Sequence, residues 1–177
     1  MTGRERIEAY LREKRIPFMV HHHPVADAAQ RAAAREHVLG RVVARVVVAF
    51  ADGRMALFVL PAQFRVDVNR AAAATSAGEL VIASEAEVIR AFSDCELGAM
   101  PPFGHPYDID VYVDRRLAAQ REIVFDAGTR TETMLMNYVD YARLAKPIVA
   151  DFALGESSQH RRAKTLGGPS RKRCTTG

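Results

Sequence analysis

Arg45 is the only charged side chain in the apolar run 42–50, and a guanidinium placed there must be paired, exposed at an edge or turned into a cavity. Strand alternation sets it on the face of Val43 and Val47. A ligand phosphate, carboxylate or carbonyl would satisfy its fork of donors, and so would an internal salt bridge or an edge position without any ligand. Two loops could face such a ligand. In 98–104, Gly98 and Gly104 let backbone come close, while Pro101 and Pro102 stiffen the chain around Ala99, Met100 and Phe103 without offering N–H groups. An ordered proline-rich loop of this length is more often functional than idle. The turn formed by Asp126, Ala127, Gly128, Thr129 and Arg130 could present backbone amides and a cation from a second side. Taken alone, either loop also reads as a plain structural turn.

Other chemistries find less support. The chain has no GxSxG elbow, HExxH, P-loop or GxGxxG after a strand. His21, His22 and His23 resemble a metal cluster, but consecutive strand residues alternate faces, so only His21 and His23 could converge, with no third ligand at fixed spacing. No metal and no cofactor are expected. Cys95 and Cys174 lie far apart without a CxxC spacing and read as free thiols.

These residues need a scaffold that brings distant loops together. The spacing of Ile7, Tyr10 and Leu11 predicts a helix over 4–14, ended before Pro17 and followed by an extended 18–22. Asp27 can cap an alanine-rich helix to about Val38 that Gly40 closes. The β-branched run after Gly40, the turn Asp52-Gly53 and the run 55–61 predict a hairpin buried on both faces. Asp67 opens a helix through Ala74, 79–83 is a strand, and Ser84 with Glu87 forms a capping box. Residues 93–107 have no period and read as a loop. Strands over 109–113 and 121–125 flank a short helix capped by Asp114, a strand follows over 131–136, and Asn137 caps a last helix that Pro147 stops. The fold class is α/β, or mixed α+β: one domain with a mostly antiparallel or mixed main sheet of about seven strands and five short helices.

Composition agrees with a soluble globular chain: 177 residues, 49% hydrophobic and 26% charged, with no apolar stretch long enough to span a membrane and an N-terminus too charged for a signal core. A cytoplasmic location is expected. The net charge of +4 is unevenly distributed. Residues 155–177 carry six basic side chains against Glu156 alone, which leaves the rest of the chain close to neutral. The expected organisation is a domain over 1–154 and a basic, disordered tail over 155–177. Such a tail is a solvated extension or a weak tether to RNA phosphates.

The motifs VLPA at 59–62, GAMPPFG at 98–104, DVYVDRRL at 110–117 and FDAGT at 125–129, in this order, resemble the YbaK-like aminoacyl-tRNA deacylases, whose domain is also inserted in bacterial prolyl-tRNA synthetases for editing. The resemblance covers about residues 3–152. It implies hydrolysis of the ester joining a wrongly attached amino acid to the 3′-terminal ribose of a tRNA, without metal. It implies that Arg45 orients the ester or ribose for attack by a water, and that Gly98, Ala99, Met100, Pro101, Pro102, Phe103 and Gly104 hold the aminoacyl group. Asp126, Gly128, Thr129 and Arg130 then form the opposite wall and meet the terminal phosphate. The implied partners are mischarged tRNA and a synthetase, with neither membrane nor DNA. The family usually reads Lys-Thr where this chain has Arg45-Val46, and Asn or Ser where it has Asp126. Two other readings stay open: a non-catalytic module binding aminoacyl-tRNA or a synthetase, and a sensor of free amino acid.

Overall fold

The computed structural model describes residues 1–22 and 41–155, and within them the chain forms ten strands and five α-helices. Helix α1 (Gly3–Glu13) starts in a reciprocal cap: the Thr2 hydroxyl accepts from the Glu5 N–H and the Glu5 carboxylate accepts from the Thr2 N–H. It buries Ile7 and Leu11 completely. Arg15, at φ 56°, turns the chain out of the helix before Pro17, toward β1 (Met19–His22).

The hairpin of β2 (Ala44–Ala51) and β3 (Arg54–Pro61) closes through Asp52 and Gly53, whose φ of 47° and 79° give the doubly left-handed turn that matches strand twist. Short β4 (Arg65–Val66) precedes α2 (Val68–Thr75), capped by Asp67. Next come β5 (Leu80–Ile82) and α3 (Glu85–Ala91), the latter opened by the Ser84/Glu87 capping box. After the long loop, β6 (Asp110–Asp114), α4 (Arg115–Ala118), β7 (Glu122–Asp126), β8 (Glu132–Asn137) and α5 (Tyr138–Ala145) follow, then β9 (Ile148–Ala150) and β10 (Ala153–Leu154).

The strands sort into three sheets. The largest has the order β5-β2-β3-β6-β9, with β2 antiparallel to β3 and β5, and β3, β6 and β9 mutually parallel. Strands β1, β8 and β7 form an antiparallel sheet, and β10 pairs with β4. Strand β3 is central and buried on both faces. One face meets a core containing Ile7, Leu11, Leu57, Val59, Phe103, Phe125 and Tyr141; the other meets Phe58, Leu60, Tyr112 and Phe152. Each such side chain contributes about 1.5–3 kcal/mol through removal from water.

The mixed α/β class holds, but the expected arrangement of about seven strands around one main sheet does not. Strands β4, β9 and β10 are too short to show a period, and the chain splits its strands among three sheets. The 93–107 loop contains a 3-10 turn at His105–Tyr107. Asn137 occupies the N-cap of α5 without a side-chain capping bond, so packing rather than a cap places that helix. The helix expected over 27–38, His23 and residues 156–177 lie outside the described residues. Among the described residues, no helix is long and apolar enough to cross a membrane.

Candidate active site

The two loops singled out in the sequence are bonded to each other. The Glu96 N–H donates to the Gly128 carbonyl at 2.8 Å, and the Gly128 N–H donates to the Ala99 carbonyl at 2.8 Å. Arg130 completes the clamp: its N–H donates to the Glu96 carboxylate at 2.9 Å, and its Nε and Nη2 reach the Leu97 carbonyl at 3.1 and 2.9 Å. Five backbone and guanidinium donors thus hold a segment with no regular structure of its own. Sequence reasoning missed Glu96, because an acid in a segment without period carries no local signal.

The loop's side chains serve mainly as anchors. Ala99, Met100, Pro101, Pro102, Phe103 and Gly104 are buried, and Phe103 packs edge-on against Phe125 and Tyr141. The Tyr141 hydroxyl donates to the Pro102 carbonyl at 2.9 Å, and burial pushes that phenol well above its usual range, so it remains a donor. Gly98, by contrast, is exposed at φ 81°, and a Cβ there would meet only Arg130, at 3.8 Å. Around Gly98 this loop leaves its backbone exposed.

Arg45 is exposed near the start of β2 and makes no hydrogen bond or ion pair among the described residues. It shares the sheet face of Val47 and Ala49, as alternation requires, whereas Ala44, Val46 and Val48 turn toward the core that holds the loop. A parallel bridge joins Val43 to Val124 of β7, with the Val124 N–H donating to the Val42 carbonyl at 2.8 Å. From that bridge both strands advance in the same direction, so Arg45 and the half-buried Asp126, each two residues on, emerge at one end of the fold.

A polar cluster joins this end of the fold. Glu132, only 9% exposed, accepts from Arg4 Nη1, from His22 Nδ1 at 3.0 Å and from the Thr129 hydroxyl at 3.2 Å, while its carbonyl accepts the Ala127 N–H at 3.0 Å. Glu8 pairs with Arg4 from the other side at 2.8 Å. Glu132 did not stand out in the sequence, and His22 did so only within the histidine run weighed for metal, because their contact depends on β1–β8 register. Behind the loop, Tyr107 donates to Asp94 at 3.0 Å, and burial pushes the Cys95 thiol up, so it stays protonated and is a poor nucleophile. Among the described residues, no group of three or more His, Cys, Asp or Glu side chains could hold a metal ion.

The fold and site define a small α/β protein whose candidate binding end is built from two backbone loops, a cation with no partner among the described residues and a carboxylate–histidine pair. Residues 22–144 match the aminoacyl-tRNA editing domain, and the chain belongs to that family. It is 30% identical over 97 residues to the multifunctional Ser/Thr-tRNA deacylase ProXp-y of Escherichia coli K12, an alignment covering 54% of this chain and 58% of that protein. A crystal structure of a candidate trans-editing enzyme for prolyl tRNA synthetase superposes with a TM-score of 0.72 at 21% identity, covering 88% of this chain and 99% of that one. The crystal structure of hypothetical protein APE2540 gives a TM-score of 0.73 at 17% identity, over 84% of this chain and 99% of that one. These two superpositions establish the fold.

Proposed function

We propose that this chain is an aminoacyl-tRNA deacylase acting in trans, in the cytoplasm, on the ester between a wrongly attached amino acid and the 3′-terminal ribose. The observation that carries the reading is the clamp between the 96–99 segment and the 128–130 turn. It presents exposed backbone at Gly98 beside a fixed Arg130, at the end of the fold where Arg45 and Asp126 emerge. In this reading the backbone around Gly98 receives the aminoacyl group, and Thr129 and Arg130 form the opposite wall. Arg45 supplies the cation that orients the ester or ribose, and a fixed arrangement of donors around a bound water lowers the barrier. The E. coli relative is named a Ser/Thr-tRNA deacylase, and serine and threonine are therefore the first amino acids to test.

A non-catalytic module that binds aminoacyl-tRNA or a synthetase is the second reading, favoured by Arg45-Val46 standing where the family usually has Lys-Thr. Arginine and lysine differ in shape and donor geometry, so the exchange is not conservative at a positioning site. A panel of tRNAs mischarged with Ser, Thr, Ala, Cys and Pro tests the proposal. The expected result is ester loss faster than spontaneous hydrolysis for at least one member; spontaneous rates throughout would overturn it.

A further inference from the structure

Strands β1 and β8 pair in a register that sets His22 directly opposite Glu132. Directly opposed residues in an antiparallel pair are close enough for their side chains to interact. His22 Nδ1 lies 3.0 Å from Glu132 Oε1, and the two side chains differ sharply in exposure, 68% for the imidazole and 12% for the carboxylate. A carboxylate only accepts, so Nδ1 is the donor in this pair, and in the neutral imidazole Nε2 then carries the lone pair. Arg4 already pairs with Glu132 from α1, so the carboxylate has a cationic partner without the histidine. The other carboxylate oxygen accepts from Thr129, a residue of the clamped turn, which ties the imidazole to the rim of the proposed site. A buried carboxylate that orients an imidazole is an arrangement that general-base catalysis uses.

We propose that His22 is the general base of ester hydrolysis and that Glu132 is its positioning residue. The inference rests on the deacylase reading above. Nε2 takes a proton from a water whose oxygen bonds to the ester carbonyl carbon. The bond from that carbon to the ribose oxygen then breaks, and the ribose oxygen receives the proton from Nε2. The products are the free amino acid and tRNA with its terminal hydroxyl restored, and no other reactant is consumed. Among the described residues, the imidazole faces Glu132 on β8, behind which lie Arg4 and, paired with it, Glu8 on α1; His21, next on the strand, points to the opposite face.

The test compares wild type with His22→Ala and His22→Gln on the most rapidly hydrolysed mischarged tRNA, following kcat, KM and the pH profile. Both variants are expected to keep the wild-type melting temperature, to lose about 100-fold or more in kcat with little change in KM, and to lose the acid limb of the wild-type profile. Added imidazole should restore part of the rate in His22→Ala. Glu132→Gln should lower kcat less. Wild-type kcat in the histidine variants, a loss that leaves the acid limb in place, or a wild-type profile without such a limb overturns the assignment of His22 while leaving the deacylase reading standing. Absence of hydrolysis by wild type on every ester overturns both.

Discussion

The glycines of the site play different parts that their sequence context does not separate. A Cβ on Gly104 would sit 1.7 Å from the Ile109 carbonyl oxygen, and one on Gly128 would press on the backbone of Gly3 and Arg4. Both allow backbone to pack against backbone. Gly98 needs its glycine for φ alone. Gly104→Ala is therefore expected to cost about 3 kcal/mol in urea unfolding, and Gly98→Ala only about 1 kcal/mol, with its damage appearing in substrate binding. Arg45→Ala should leave the unfolding midpoint unchanged, since Arg45 has no ion pair among the described residues. It should cost about 2–4 kcal/mol of transition-state stabilisation, read from kcat/KM. Unchanged kcat/KM would remove Arg45 from the mechanism. The sequence marked Arg45 and the glycines because a charge in an apolar strand and glycine beside proline are local anomalies. It marked His22 only in the histidine run weighed for metal and could not mark its pairing with Glu132, since an exposed histidine and a strand glutamate become a pair only through a register set by the whole sheet.

At the scale of elements, Asp114 is a junction that composition leaves invisible. Expected only as a helix cap, it does accept the Arg116 N–H at 2.9 Å, but its other oxygen accepts the Phe152 and Ala153 N–H groups at 2.9 and 2.7 Å. One fully buried carboxylate thus joins β6, α4 and β10. Asp114→Ala would strand several buried donors and should cost about 3–5 kcal/mol by chemical denaturation; a loss under about 1 kcal/mol would show that water replaces the carboxylate. The hairpin, the Ser84/Glu87 capping box and the Asp67 cap were legible because turn and cap chemistry is local, whereas the Thr2/Glu5 box was found only in the structure. Pairing of β4 with β10 and the parallel placement of β9 were not, since two or three residues carry no period and their partners lie far along the chain.

For the whole molecule, the packed structure reaches Phe152 and Ala153, both fully buried, and Gly155, which approaches Phe64. Deleting residues 156–177 is expected to leave the melting temperature unchanged; a drop of several degrees would show that the segment packs. The deletion should weaken tRNA binding at low salt, by an amount that shrinks as salt rises, because the tail's cations act through counterion release. In the proposed reading this end of the fold turns over an aminoacyl ester rather than merely holding it. Multiple-turnover assays with protein well below the concentration of mischarged Ser- or Thr-tRNA test it most directly, with released amino acid and retained tRNA measured together. Release continuing past many equivalents of protein, with intact deacylated tRNA as the other product, is the expected result. Saturable tRNA binding with the ester left intact would contradict it.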